Sequence, residues 1–304
     1  VVGLGEISLD HLATVAHLPQ PGDKLEVQAW RDLPGGQIAT AILGCCRLGL
    51  RGGLVGCVGE DEAGEVALAP LDAAGVETRG VRLRSVGRTR SATVLVERKT
   101  GERTILWQRD PRLRLKVGEV RREEIEAGQV LLLDAGDPEL ATWAARIARG
   151  AGLATILDVD VPGPGVEALL ENVDFPIVPR TFLAAAFGDD VPEGGLRVLG
   201  HLGARFPVVT LGDRGAIGGT AENPLRSPAF PVHVVDTTGA GDAFHAGFAW
   251  GLLRGLRPAD LLRAANATAG LSCRALGAQG GLPTREELES LLRGPVPGQA
   301  GRTS

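Results

Sequence analysis

From residue 111 onward, short apolar runs alternate with helical stretches, and that rhythm restricts the fold more than any other feature of the chain. Gln129 to Leu133, Ala154 to Leu157, Val173 to Val178 and Val208 to Leu211 are the runs, and helical segments such as Glu139 to Arg149 lie between them. Runs that stay apolar instead of alternating suit strands buried on both faces, and helices of that length supply the crossovers between parallel neighbours. The expected fold is therefore α/β: a mostly parallel central sheet with helices on both faces. The N-terminal part agrees with it. Val1 to Glu6 reads as a first strand, and Ile38, Ile42, Cys45 and Cys46 recur at helical steps up to Gly49. Gly52 to Val58 reads as a strand, and Glu62 to Ala74 as a helix closed by Gly75.

Two segments break the rhythm. Residues 12–33 are rich in Pro, His and charge, with a turn at Pro19-Gln20-Pro21-Gly22. Residues 85–110 alternate in the manner of strands, and Lys99-Thr100-Gly101-Glu102 joins two of them as a hairpin. Paired together, they would make a small β-sheet beside a main domain of residues 1–11, 34–84 and 111–293. Near the end, Asp242 to Arg254 shows one apolar stripe, Phe244, Phe248 and Leu252. Helices are expected at Pro258 to Leu276 and at Arg285 to Arg293, and the Gly- and Pro-rich tail 294–304 is expected to be disordered.

Composition removes several function classes. With 44% hydrophobic and 23% charged residues among 304, the chain has the apolar content of a globular protein. A net charge of -5 lacks the basic footprint of a nucleic-acid binder. No apolar run approaches the ~18 residues of a membrane span, and no cationic stretch opens the chain, so a soluble cytoplasmic protein is expected. Cys45, Cys46, Cys57 and Cys273 have no metal-binding spacing and read as small buried hydrophobes.

The chemistry concentrates in Asp236-Thr237-Thr238-Gly239-Ala240-Gly241-Asp242, directly before a helix. Gly239, Ala240 and Gly241 are small enough to let successive N–H groups turn inward at a helix N-terminus, where an anion is favoured. Asp242 would repel a bound phosphate. Its place makes sense if it accepts the proton of an incoming hydroxyl while the amides hold the phosphoryl charge. A tight turn and a cap alone would need neither two glycines nor the preceding Asp-Thr-Thr.

This stretch, continuing Ala243-Phe244-His245-Ala246-Gly247, resembles the C-terminal signature of the ribokinase-like (PfkB) carbohydrate kinases. Gly35-Gly36-Gln37-Ile38-Ala39-Thr40-Ala41, leading to Arg47-Leu48-Gly49, resembles the family's di-glycine signature. Gly56-Cys57-Val58-Gly59-Glu60-Asp61-Glu62-Ala63-Gly64 resembles a third stretch between them. The resemblance implies a ribokinase-like fold with a β lid built from the two insertions, the lid often forming a dimer interface. It implies ATP-dependent phosphorylation of a small sugar, with Asp242 as base, Gly239, Ala240 and Gly241 as anion hole, and Mg²⁺ on the nucleotide. By the same resemblance, Asp10, Gly35, Gly36 and Thr40 would meet the sugar. Thr210, Gly212 and Gly215 would contact nucleotide phosphates, Asn266 would border the adenine, and Asp236, Thr238 and Gly277 would surround a monovalent cation, commonly K⁺.

Two positions depart from the family pattern. Thr40 replaces an Asn near the sugar, and Arg180-Thr181-Phe182-Leu183 replaces Asn-x-x-Glu, a motif linked to metal and phosphate. They keep two rivals open: a nucleoside kinase of the same fold, and a catalytically silent nucleotide- or sugar-binding regulator. Gly3-Leu4-Gly5 is an incomplete dinucleotide fingerprint, with Ser8 where its third Gly would be. Arg88, Arg90, Arg103 and Arg109 could bind an anionic substrate or form a solvated strand face. Trp30 and Trp107 could meet substrate or a second subunit, and His245, one turn into the signature helix, could face the site.

Overall fold

The computed structural model describes residues 1–188 and 190–294, so the tail from residue 295 lies outside the described residues. The chain runs β1 (Val2–Leu4), β2 (Ser8–Val15), β3 (Ala29–Gly35), α1 (Gln37–Arg47), β4 (Gly53–Gly59), α2 (Glu62–Ala73), β5 (Glu77–Arg84), β6 (Arg90–Glu97) and β7 (Arg103–Gln108). It continues through α3 (Arg122–Glu126), β8 (Val130–Asp134), α4 (Pro138–Gly150), β9 (Ala154–Asp158), α5 (Val166–Leu170), β10 (Phe175–Pro179), α6 (Arg180–Phe187) and α7 (Pro192–His201). Last come β11 (Val208–Thr210), β12 (Ala216–Gly219), β13 (Pro224–Ser227), α8 (Ala240–Leu253), α9 (Pro258–Ser272) and α10 (Arg285–Arg293).

Nine strands form one sheet in the order β13-β12-β11-β10-β9-β8-β1-β4-β5. It is parallel except at one edge, where β12 and β13 turn back antiparallel. Ile38, Ile42, Phe244 and Phe248 pack on one face, and Leu140, Ala144, Leu169 and Phe182 on the other. Phe248 is fully buried, which stabilises the fold by roughly 1.5–3 kcal/mol, and it meets the Phe175 ring edge-on at 5.5 Å. From β1 the chain adds β4 and β5 on one side, then returns to add β8, β9 and β10 on the other. The crevice where the order reverses, beyond the carboxyl ends of β1 and β8, is where open α/β sheets bind ligands.

The second sheet, in the order β3-β2-β6-β7, unites the two insertions. Its strands begin earlier than segment 12–33: Asp10 already pairs with Leu33 on β3 and with Ala92 on β6. Two helices differ from their sequence reading. The α9 helix stops at Ser272 instead of Leu276, because the Cys273 carbonyl accepts the N–H groups of Val235 and Asp236, and the chain then turns through Gly277 at φ +78°. The α8 helix lacks a polar side. Every residue from Ala243 to Gly251 is buried, since α1 and α9 flank it and its small residues permit close approach.

Candidate active site

Gly239 caps α8 in the left-handed conformation, φ +77°, and a Cβ there would lie 2.6 Å from the backbone of Ala278. Only glycine fits such a position without strain. The Ala240 N–H donates to the Thr237 carbonyl at 3.2 Å, whereas among the described residues the N–H groups of Gly239 and Gly241 have no protein acceptor. Gly241 is exposed and has open space around it. The loop is held from beneath by Asp236, which is fully buried. One of its carboxylate oxygens accepts the Thr238 N–H and hydroxyl at 2.8 and 2.7 Å, and the other accepts the Gly277 N–H at 2.8 Å. Asp236, Thr238 and Gly277 thus form one stitched unit, and beside it the buried Gln279 Oε1 has no partner.

Asp242 follows on the first turn of α8, half-buried. Burial and the like charge of Asp158 hold its carboxyl well above the usual carboxylate range, against the pull of Arg103. Asp158, the last residue of β9, has its Oδ2 3.6 Å from His245 Nδ1, and burial pushes it up to about 6. Asp134 ends the neighbouring β8 in register with Asp158 and accepts the N–H groups of Glu6 and Gly136 at 2.6 and 2.9 Å. Burial brings it, too, to about 6. The sequence reading passed over both residues, although each is an acid closing an apolar run.

Asp10 reaches this end of the crevice from the lid. It is 6% exposed, accepts the Ser8 hydroxyl at 2.9 Å and is pushed up to about 6 by burial. The backbone of Gly35 lies against its carboxylate, with no room for a Cβ. Gly36 caps α1 at φ +95°, and a Cβ there would lie 2.5 Å from the Glu6 carbonyl oxygen and 2.7 Å from the Ile7 α-carbon. Thr40 behaves differently. It is fully buried inside α1, with Gln279 Nε2 at 3.5 Å as its polar neighbour. A cavity opens beside these residues, lined by Glu6, Arg90, Arg109, Asp134, Asp137 and Leu140 among others. Arg90 pairs with Glu6 and lies 5.1 Å from the Trp107 ring centre, and Arg109 pairs with Asp137.

The lid hairpin touches the α8 loop directly. The Gly101 carbonyl accepts the Thr237 N–H and hydroxyl at 3.1 and 2.9 Å, and Arg103 donates to the Thr237 hydroxyl at 3.1 Å. Arg103 is the lid arginine brought against the signature loop. Further along the sheet, Thr210 ends β11 and leads into an exposed turn at Gly212, which closes where Leu211 donates to the Gly215 carbonyl. Asn266 is buried in α9 and donates to the Ser227 carbonyl at 2.9 Å, tying that helix to β13. Arg180, the first residue of α6, forms a surface pair with Asp190 at 3.4 Å.

Free amides at a helix N-terminus, an acidic end at the switch point and a β lid reaching both define a ribokinase-like phosphotransferase. Comparison with known proteins agrees. The pfkB family carbohydrate kinase pattern matches residues 1–285. The ribokinase of Bacillus subtilis (strain 168) is 29% identical over 95% of this chain and 98% of its own length. An ATP-dependent ribose-1-phosphate kinase of Halopiger xanaduensis is 30% identical over 96% of this chain and 97% of its own. The structure of Arabidopsis thaliana ribokinase complexed with ribose and ATP superposes with a TM-score of 0.80, at 26% identity, over 97% of this chain and 98% of that one. The chain belongs to the pfkB family, and it is a carbohydrate kinase.

Proposed function

We propose that the protein transfers the γ-phosphoryl group of Mg·ATP to a primary hydroxyl of a small neutral sugar, with Asp242 as the base. The observation that carries this reading is the juxtaposition at the start of α8. A carboxyl held above its usual range stands within one turn of amide groups that lack acceptors. Asp242 takes the hydroxyl proton as the sugar oxygen bonds to the γ-phosphorus and the bond to ADP breaks. The amides of Gly239 and Gly241, with that of Ala240 partly engaged, receive the charge of the transferring group. Arg103 approaches the same charge from the lid, and lid closure keeps out water.

Asp10, Gly35 and Gly36 hold the sugar. Both cavity arginines are already paired, so carboxylates are in excess at this end, which suits the hydroxyl donors of a neutral sugar better than a phosphosugar. Among the described residues no cluster of three His, Cys, Asp or Glu is arranged to hold a metal, which suits an Mg²⁺ that arrives on the nucleotide phosphates. The loop at Thr210, Gly212 and Gly215 lies on the donor side, and Asn266 supports it through β13. A monovalent cation such as K⁺ would sit among backbone carbonyls of the Asp236, Thr238 and Gly277 unit, beside the orphaned Gln279 oxygen; equal turnover in K⁺ and in a bulky cation would exclude it. The division into an α/β domain and a lid follows the two sheets. Trp30 and Leu106, 51% and 62% exposed, share the lid face opposite Leu12 and Val94 and fit a homodimer contact. All four cysteines are free, in keeping with a cytoplasmic setting. Among the described residues no helix is long and apolar enough to cross a membrane.

The test is ADP release from Mg·ATP against pools of neutral sugars, phosphosugars, sugar acids and nucleosides. Release with a neutral sugar should fall ~10²–10⁴-fold in Asp242→Asn while nucleotide binding survives. Undiminished turnover in that variant would remove Asp242 as the base.

A further inference from the structure

Thr237 is the residue of the α8 loop that the reaction as described leaves without a task. Its neighbours Asp236 and Thr238 belong to the stitched unit beneath the loop. Thr237 bonds the lid instead. Its N–H and hydroxyl both donate to the Gly101 carbonyl, at 3.1 and 2.9 Å, and the same hydroxyl accepts from Arg103 Nη1 at 3.1 Å. Its own carbonyl accepts the Ala240 N–H at 3.2 Å. Every polar group of Thr237 is therefore engaged, the N–H and hydroxyl with the lid and the carbonyl with the anion loop. A carbonyl oxygen offers two lone pairs, so this one residue also saturates the acceptor at the hairpin tip.

The lid side of the contact has a fixed shape. Gly101 is buried at φ +71° in the turn between β6 and β7. A Cβ there would lie 2.7 Å from Val234 Cγ1 and 3.3 Å from the Val235 backbone. Glycine thus serves both the left-handed turn and the close approach to the segment that leads into the α8 loop. Within the turn, the Gly101 N–H donates to the Glu97 carbonyl at 2.8 Å, and the Glu102 N–H donates to the Thr100 hydroxyl at 3.1 Å. The tip is tied to its own strands and can transmit where the lid sits.

We infer that Thr237 is a positioning residue that couples the lid to the anion loop. The docked hairpin fixes Thr237, and Thr237 fixes Ala240 between the unpartnered amides of Gly239 and Gly241. The inference rests on the proposed reaction, in which those amides receive the phosphoryl charge. Groups oriented before the charge develops need no reorganisation during the transfer, which is where such donors gain their effect. Thr237 acts through Ala240 and through Arg103, which it holds by one hydrogen bond, and not by touching the reacting atoms. A loop left without the hairpin would keep its glycines and its base but lose the fixed aim of its amides.

Three variants test this. Thr237→Val keeps the shape and removes the hydroxyl, Thr237→Ser restores the hydroxyl, and Gly101→Ala pushes the tip away from the lid side. With the sugar found by ADP release, Thr237→Val should lower kcat at least ~10-fold while KM for sugar and for Mg·ATP stays within ~3-fold. Thr237→Ser should recover kcat to within ~3-fold of the wild type. In ligand-free Gly101→Ala, the ¹H–¹⁵N signals of Gly239, Ala240 and Gly241 should move, a readout that needs no turnover. Adding Thr237→Val to Gly101→Ala should slow kcat by no more than ~3-fold further, because the two act on one contact. Wild-type kcat in Thr237→Val, a Thr237→Ser variant as slow as Thr237→Val, or losses that multiply in the double variant would overturn the coupling. So would unmoved loop signals in Gly101→Ala, and the Thr237 pair decides by itself if Gly101→Ala fails to fold. Failure of the underlying reaction would show separately, as turnover surviving in Asp242→Asn.

Discussion

Replacing Asp10 by Asn should stabilise the empty protein at neutral pH while weakening its hold on the sugar. The reason lies in the charge. Burial raises the Asp10 carboxyl from 3.8 to about 6, so the folded chain binds this proton more tightly than the unfolded chain does. Below pH ~4 both states are protonated and the group is neutral in the balance. Between pH ~4 and ~6 the unfolded state ionises first, and stability falls. Above pH ~6 the full penalty is present, about 3 kcal/mol for a shift of roughly two units. Asn carries no such penalty but weakens the contact with the Ser8 hydroxyl, which offsets about 1 kcal/mol. The expected net gain at pH 7.5 is about 1–2 kcal/mol, or roughly 2–4 °C in Tm for a domain of this size. Thermal melts of both proteins from pH 4 to pH 8 would measure it. The gain should vanish near pH 4, and KM for the sugar should rise at least ~10-fold as the hydroxyl acceptor is lost. A variant no more stable than the wild type at pH 7.5, or a gain independent of pH, would refute the assignment of Asp10 as a buried charge reserved for the substrate.

Gly239→Ala should lose about 2 kcal/mol or more, because its Cβ meets the Ala278 backbone at 2.6 Å and its φ is left-handed, whereas Gly241→Ala, with open space, should keep its stability within ~0.5 kcal/mol. Urea denaturation of the two variants side by side checks the contrast. Arg103→Ala should lower kcat by ~10²–10³ with little change in sugar KM, since it removes a charge brought to the phosphoryl end; steady-state kinetics that moved only the sugar KM would contradict that placement. Trp30→Glu combined with Leu106→Glu should convert a dimer to a monomer in sedimentation velocity, and a wild type that sediments as a monomer at all concentrations would exclude the lid contact.

What could be read from the residues alone was set by how local the signal is. The parallel strands announced themselves because burial on both faces leaves uninterrupted apolar runs, as in Val130–Asp134, where all five residues are buried. The antiparallel turn-back at β12 and β13 did not, since both strands are four residues long and β12 ends in Gly218-Gly219, too little for an alternation to show. The same limit governed the site. The α8 loop is contiguous, so its glycines and acids could be read together as one candidate site. Asp158 and Asp134 belong to the site only because adjacent strands end in register, and that register is a property of the sheet. Arg103 looked like one of four lid arginines until the hairpin placed it against Thr237. Thr40, one helical turn after the informative di-glycine pair, faces the interior because α1 turns it toward Gln279.

The arrangement also explains how a cleft this acidic can receive a polyanion. Asp236 lies just before the anion loop, yet one of its oxygens accepts from Thr238 and the other from Gly277, so it does not compete for the amides of Gly239 and Gly241. Those amides stay oriented outward at the positive end of α8, which is 14 residues long. On the proposed reading the remaining carboxylates, Asp10, Asp134 and Asp158, lie toward the acceptor; all three hold their protons more firmly than free acids do. Negative charge is, on that reading, kept off the phosphate side and partly neutralised on the sugar side. Asp242 stands between the two. The contact from Gly101 to Thr237 joins the lid to the loop itself, so displacing the hairpin would also disturb the groups proposed to receive the phosphoryl charge.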